Sequence, residues 1–382
     1  MDLTHPIAAP LPRVLFQRGP TRHWRVVVIS GVGLLFALLA AAALYVRVEC
    51  QKDGCYTREM VNLSLPAWLG IGRAKSATPI EINRGVRHFG IYYGWPSQVN
   101  GAEGDLDRAA AEFARFGVIV LGDGLEHPTH PEHARTVAII ARLNNGGATR
   151  VFGYIDLGVT TQNLPPPTLV QFAEEWKRIG AVGVFLDDAG ADYGVDAARR
   201  DRAVRDIRQL GLPVILNAHD PADAFRGSVA LGPGDGYLFE SFQVSDGRVQ
   251  PASEIFAKAD LALQLAGQGG PDVYALASGP LNDPGLQDKV SYAWWSALLY
   301  GFRYFQYTSL DYGSTTSQLP WYPLEVPEIG ERYLESTVQH LWRDGLHRRV
   351  TDRGEIELNT GASLRGTFLP REAMPQAQGE GS

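Results

Sequence analysis

The chain has 382 residues, 45% of them hydrophobic and 20% charged, with a formal net charge of −7. That balance excludes a disordered or collagen-like polymer. The acidic sign, with no long basic run in the soluble part, argues against a nucleic-acid partner, whose binding is dominated by phosphate neutralisation.

Residues 26–45 form a nearly unbroken apolar run without a charge, close to the ~20 residues a helix needs to cross a bilayer core. Arg13, Arg18, Arg22 and Arg25 precede it against a single acid, Asp2; Arg47, Glu49, Lys52 and Asp53 follow it. The positive-inside rule then makes 1–25 a cytoplasmic segment and 26–46 a single transmembrane anchor, with the remainder periplasmic or at the cell surface. A cleaved signal peptide is the competing reading, because the alanines at 40–43 offer a cleavage site. Two cysteines supply neither a disulfide scaffold nor a four-thiolate zinc site. Cys50 and Cys55 would lie just outside the membrane, where thiols oxidise, and we expect a disulfide between them. Residues 47–84 read as a linker, with Pro66, Gly70, Gly72 and Pro79 and weak periodicity.

From Gly85 onward short apolar runs alternate with amphipathic stretches. The runs are HFGIYYG (88–94), GVIVLGDG (117–124), RVFGYIDLG (150–158), VGVFLDDAG (182–190), PVILNAHD (213–220), GYLFESF (236–242), DVYALASG (272–279) and RYFQYTSLDYG (303–313). They are short, β-branched and aromatic, and apolar on both faces, as strands of a buried parallel sheet are. Between them, Leu169, Val170, Phe172, Ala173, Trp176 and Ile179 recur at helical spacing, with Thr168 and Gln171 placed as a capping box. Leu106, Ala109, Ala110 and Phe113 form a similar stripe. Gly117, Gly180, Gly211 and Gly301 each stand where a left-handed helix stop would precede a strand.

Eight such units predict an α/β fold, a (β/α)8 TIM barrel, over 85–346. An open doubly wound sheet is the runner-up; its Gly-rich phosphate loop would fall at YYGWPSQVNG, which lacks the spacing. There is no P-loop and no GxSxG elbow. After the eighth strand, residues 327–346 (Ile329, Tyr333, Leu334, Val338, Leu341) read as a helix. Residues 347–369 read as a terminal hairpin about Asp352-Arg353-Gly354 or an extension, and 370–382 as a disordered tail.

In such a barrel the chemistry lies at the C-terminal strand ends. Asp123 and Glu126 follow strand two, Asp156 ends strand three, Asp187 and Asp188 end strand four, Glu240 ends strand six and Asp311 ends strand eight. No lysine stands at a strand end, so a Schiff base has no obvious nucleophile. Apolar strands ending in carboxylates are costly unless the acids have a function or a partner. A ring of carboxylates with aromatic neighbours suits glycoside hydrolysis, in which one carboxyl protonates the leaving oxygen and another attacks the sugar or activates water. Tyr92, Tyr93, Trp95, Tyr154, Phe242, Tyr307 and Tyr312 could stack on sugar rings, whereas Phe152, Phe185 and Phe239 read as core.

The run Gly183-Val184-Phe185-Leu186-Asp187, the earlier Gly153-Tyr154-Ile155 and the later Glu240 together resemble the spherulin-4-like, endo-α-1,4-polygalactosaminidase group of barrel glycosidases. The group includes hydrolase modules of galactosamine-rich biofilm polysaccharide systems. The resemblance covers roughly residues 85–325 and rests on short motifs. It implies cleavage of α-1,4-linked galactosamine or N-acetylgalactosamine polymers outside the cytoplasm, with Asp187 and Glu240 as the catalytic carboxylates. The chain departs from some relatives by Asp187-Asp188 in place of Asp-Glu, and by Asp156 where a Ser stands.

We assign Asp187 as nucleophile or base and Glu240 as acid, since apolar neighbours such as Phe239 and Phe242 raise a carboxyl pKa. Tyr93, Trp95, Asp123, Asp156, Asp188, Asn217, Tyr307 and Asp311 are the substrate-binding candidates. No cofactor and no metal is expected: His127, His130 and His133 with Glu126 match no helical metal motif, and Pro131 suits the opening of the next helix. His219 is a base or sugar contact, or a structural strand-end histidine. The partners expected are a polysaccharide, a membrane and possible polysaccharide secretion machinery. The alternative is a catalytically inactive glycan-binding barrel in a polysaccharide export or envelope system; a lyase or metal-dependent hydrolase is a third reading.

Overall fold

The computed structural model describes residues 80–81, 86–267, 269–309, 313, 316–324, 327–361 and 363–371. All belong to one compact unit, Gly72–Ser382. The expected anchor at 26–46, Cys50 and Cys55, the strand-eight acid Asp311 and the tail beyond 371 lie outside the described residues. Among the described residues no helix is long and apolar enough to cross a membrane.

Eight parallel strands close into a barrel: β1 Arg87–Tyr92, β2 Val118–Leu121, β3 Arg150–Asp156, β4 Gly183–Asp187, β5 Val214–Asn217, β6 Gly236–Phe239, β7 Asp272–Ser278 and β8 Tyr304–Thr308. Each pairs with the next, and β8 returns to β1 through Tyr304↔Arg87 and Phe305↔His88. Period-2 alternation makes two cores from the same strands. Phe89, Ile91, Val118, Val120, Phe152, Phe185, Ile215, Leu238, Tyr274, Leu276 and Tyr304 fill the barrel. Their neighbours, such as Ile119, Val151, Leu186 and Phe239, face the surrounding helices. This is why every strand reads as apolar on both faces.

Among the described residues seven helices cross between the strands: α1 Leu106–Phe113, α2 His133–Gly146, α3 Pro166–Arg178, α4 Ala197–Gln209, α5 Pro221–Phe225, α6 Ala252–Ala266 and α7 Leu286–Tyr300. Asp105, Asp196 and Asp220 cap α1, α4 and α5 by accepting from backbone N–H groups of the first turn. The capping box expected at Thr168 and Gln171 is not formed. α3 begins earlier, with proline in its first turn and no side-chain cap, and Gln171 instead donates to Glu175 at 3.0 Å. Gly301 closes α7 in the left-handed conformation, φ 71°. Gly117 plays no such part, because α1 has already ended at Phe113.

The helix expected over 327–346 is absent. Gly330 takes φ 105°, incompatible with a helix, and the segment forms short strand pieces at Arg332–Tyr333 and Gln339–Leu341. Ile329, Tyr333 and Val338 are buried by packing rather than by helical stacking, while Leu334 and Leu341 are exposed. The Tyr333 hydroxyl donates to Leu298 O at 2.5 Å, and the Arg349 guanidinium lies 3.9 Å over the Tyr333 ring. Gln339–Leu341 is the first strand (β9) of an antiparallel sheet completed by β10 Leu346–Val350, β11 Gly354–Asn359 and β12 Arg365–Pro370. This sheet packs on α7, where Trp295 lies against Gly366 so closely that a Cβ there would come within 2.0 Å of the indole.

Candidate active site

The alternation that fills the barrel also builds its mouth. Two residues beyond the interior side chains Ile91, Phe152, Phe185, Ile215 and Leu238 stand Tyr93, Tyr154, Asp187, Asn217 and Glu240. A strand-end polar residue in phase with the interior must point into the barrel axis. There it meets a cavity of about 340 Å³ lined by Ile91, Tyr93, Phe185, Asp187, Asp188, Asp192, Tyr193, Asn217, His219, Leu238, Glu240, Ser241 and Leu276. A larger depression of about 460 Å³ beside Asn100, Leu281, Ser317 and Gln318 carries no ionisable side chain, so it has no group for acid–base work.

Asn217 joins the two carboxylates. Its Nδ2 donates to Asp187 Oδ1 at 2.7 Å and to Glu240 Oε2 at 3.2 Å. One amide nitrogen has two hydrogens, so both are committed, and Asn217 orients the carboxylates. The two accepting oxygens therefore lie within about 6 Å of each other, which admits the ~5–5.5 Å separation of retaining glycosidases and falls short of the ~6.5–9.5 Å of inverting ones. The Tyr154 hydroxyl and the Asp188 backbone N–H also donate to Asp187.

Asp187 keeps one side open to the cavity while protein encloses the rest. Burial pushes its carboxyl up to about 7. The Asn217 and backbone hydrogen bonds pull the other way, and the charges of Asp188 and Glu240 add to the rise. Desolvation, the ground on which the sequence favoured Glu240 as the protonated group, thus acts strongly on Asp187.

The residues following the two carboxylates, Asp188 and Ser241, have φ of 51° and 60°. Neither is glycine, and each turns the chain sharply directly after the carboxylate, at the strand end. Asp188 lines the cavity; burial first and the charge of Asp156 next raise its pKa, while Thr161 hydrogen-bonds it.

Other predicted contacts fall elsewhere. Asp156 is buried, and its Oδ1 accepts from Gly158 N and Thr161 Oγ1, both at 2.7 Å, so it shapes the loop after β3. Asp123 lies away from the cavity lining, 3.8 Å from His130. Tyr307 is out of phase with Tyr304: it faces the helix layer and meets the Tyr322 ring edge-on. Trp95 is exposed in the loop after β1 and is not part of the lining. Among the described residues no group of three or more His, Cys, Asp or Glu is arranged to hold a metal ion. His127 instead bonds Glu175 at 2.6 Å, and His133 bonds Leu125 O at 2.9 Å.

Asp192, Tyr193 and Ser241 are lining residues that the sequence reading missed. An Asp-Tyr pair between Gly190 and Gly194, just past a strand-end acid, was the available signal for the first two.

No family model matches the chain, and no curated protein matches it. Among solved structures it is similar to the glycoside hydrolase domain of PelA from Pseudomonas aeruginosa, at 17% identity and a TM-score of 0.40, over 63% of this chain and 99% of that one. It is similar to an exo-β-1,4-mannosidase from an Opitutaceae bacterium at 13% identity and a TM-score of 0.39, over 59% of this chain and 51% of that one. It is also similar to the YdjI aldolase from Escherichia coli K12 at 14% identity and a TM-score of 0.35, over 59% and 75% of the two chains. Likeness at this level assigns no chemistry to the cavity.

Proposed function

We propose that the protein is a glycoside hydrolase that cleaves an α-1,4-linked, galactosamine-containing polysaccharide outside the cytoplasm, held at the membrane by residues 26–46. The observation that carries the reading is the pair of carboxylates, Asp187 and Glu240, bridged by one amide at the bottom of an open cavity. Their spacing supports a double displacement with retention. Glu240 gives its proton to the glycosidic oxygen as that bond breaks, and an Asp187 oxygen bonds to the anomeric carbon. Glu240, now a carboxylate, then takes a proton from water, the water oxygen displaces Asp187, and the free sugar and both carboxyl groups are restored.

Tyr154, Asn217 and the Asp188 N–H hold the attacking carboxylate in one orientation, which lowers the entropic cost of attack. The lining supports a sugar bearing free amines. Asp187, Asp188, Asp192 and Glu240 contribute acids, and among the lining residues there is no lysine or arginine.

The test is release of oligosaccharides from partly deacetylated α-1,4-galactosaminan by the full chain, with Asp187→Asn and Glu240→Gln alongside. Wild-type release with both variants folded and ~10²-fold or more slower supports the mechanism. Polymer binding without release moves the assignment to a glycan-binding barrel. Neither binding nor release removes the substrate assignment.

A further inference from the structure

Beyond the carboxylate pair, the cavity rim carries an aromatic ring that no step of the chemistry uses. Tyr193 is 37% exposed and lines the cavity. An exposed tyrosine on a mobile loop would mean little, but this one is fixed. It ends a short 3-10 turn, Ala191–Tyr193, stopped by Gly194 at φ 75°. The Tyr193 carbonyl accepts from Val159 N at 2.9 Å and from Thr160 N at 3.2 Å, and its own N–H reaches Gly190 O at 3.1 Å. The other end of the turn is tied to α5, where Ala191 N donates to Asp223 Oδ2 at 2.9 Å. The turn is therefore pinned to the β3–α3 loop on one side and to α5 on the other.

The neighbouring Asp192 also lines the cavity. Its carboxylate folds back over Gly190, where a Cβ would come within 2.2 Å of Asp192 Oδ1. Glycine at 190 thus leaves room for the carboxylate beside the aromatic face. Among the described residues the Tyr193 ring stacks on no other ring.

We infer that Tyr193 and Asp192 form a second sugar subsite, next to the one served by Asp187 and Glu240, whose ligand is a hexosamine unit of the same polymer. The sugar's C–H face would pack on the Tyr193 ring, whose negative quadrupole also attracts an ammonium, and the sugar amine would face the Asp192 carboxylate. Pre-pinning matters because a platform that is already ordered loses little entropy on binding. This inference rests on the glycosidase reading. Tyr193 would act by positioning the chain and would take no part in bond making or breaking.

The experiment uses the full chain and α-1,4-galactosamine oligosaccharides, comparing wild type with Tyr193→Ala and Tyr193→Phe. Tyr193→Ala is expected to raise KM about tenfold with kcat within about twofold, as loss of binding shared by ground and transition states requires. Tyr193→Phe should keep the wild-type KM, because the face and not the hydroxyl is used. Melting temperature should be the same in all three, since the side chain is partly exposed on the cavity rim, and the pH profile should keep its shape, since Tyr193 exchanges no proton in the reaction. An unchanged KM in Tyr193→Ala overturns the subsite while leaving the hydrolase standing, as does a Tyr193→Phe variant as impaired as Tyr193→Ala. A wild type that neither cuts nor binds these sugars overturns both.

Discussion

Asp187→Asn should stabilise the fold while abolishing the reaction, and the gain should depend on pH in a defined way. Burial raises the Asp187 carboxyl from 3.8 to about 7. Between those values the native state holds a proton that the unfolded chain has released, so stability falls as pH rises through this window. Below the unfolded value both states are protonated, and the group adds no pH dependence. Above about 7 both states are ionised, and the full cost of keeping the charge in the site is present. At ~1.4 kcal/mol per tenfold in proton affinity the shift corresponds to at most about 4 kcal/mol. Water entering from the cavity side lowers this, so we expect roughly 2–4 kcal/mol.

Asparagine keeps the shape, can still accept the Asn217 hydrogen bond through its oxygen, and removes the charge that Asp188 and Glu240 oppose. Urea unfolding of wild type and Asp187→Asn at intervals from pH 4 to 9 isolates the effect of the site, because titrations outside it are common to both. The difference should be near zero at pH 4, grow to about pH 7 and then level off. A difference that is flat with pH, or a variant less stable than wild type at pH 8, would refute the claim that the site holds a strained charge. The same ionisation should govern catalysis: with Asp187 as nucleophile, kcat/KM should fall on acidification through about 7. A rate that instead falls on the alkaline side of 7 would make Asp187 the acid.

Asn217→Ala removes the shared donor, so the Asp187 pKa should rise further and kcat/KM drop by ~10² or more; carboxyl NMR titration of labelled aspartate would show no rise if the bridge is incidental. Gly153→Ala would place a Cβ within 2.1 Å of the Trp176 ring, which is held by its own bond to Tyr154 O at 3.1 Å, and should cost roughly 1–3 kcal/mol in urea unfolding at neutral pH. Arg349→Met should cost roughly 3 kcal/mol, because the fully buried guanidinium donates to the carbonyls of Leu299, Tyr300 and Glu335 and stacks on Tyr333; a loss below about 1 kcal/mol would mean that water takes over those carbonyls.

The barrel was legible because a strand buried on both faces leaves a mark that local context cannot erase: apart from His88 in β1 and Gln306 in β8, few polar residues break the runs before the strands end. Asp187 and Glu240 stood out for the same reason, each being the first acid after such a run. Asn217 stood out too, but as a sugar contact; only the fold reveals that Ile215 and Leu238 share the interior phase that aims Asn217 between two carboxylates on the neighbouring strands. Phase also explains the misplacement of Tyr307. The sequence placed it by its closeness to the end of β8, whereas its odd offset of three residues from Tyr304 turns it to the outer face. The helix expected over 327–346 failed because Ile329, Tyr333 and Val338 are apolar at a spacing that a helix could use. Gly330 and contacts to α7 and β10, distant in sequence, decide otherwise.

What distinguishes the two carboxylates from the acid that ends β3 is the conformational cost beside them. Asp156 is buried too, but its oxygen is satisfied by Gly158 and Thr161 and the chain around it is relaxed. Asp187 and Glu240 are each followed by a non-glycine residue in the left-handed region, at about 1–3 kcal/mol apiece, and Asp187 adds the cost of an elevated pKa. A fold selected only for stability would place glycine at 188 and 241 and a neutral side chain at 187. Asp188→Gly and Ser241→Gly should therefore raise stability, and if the strain serves to aim the carboxylates, they should also slow the reaction. Faster or unchanged catalysis in both would separate the strain from the chemistry.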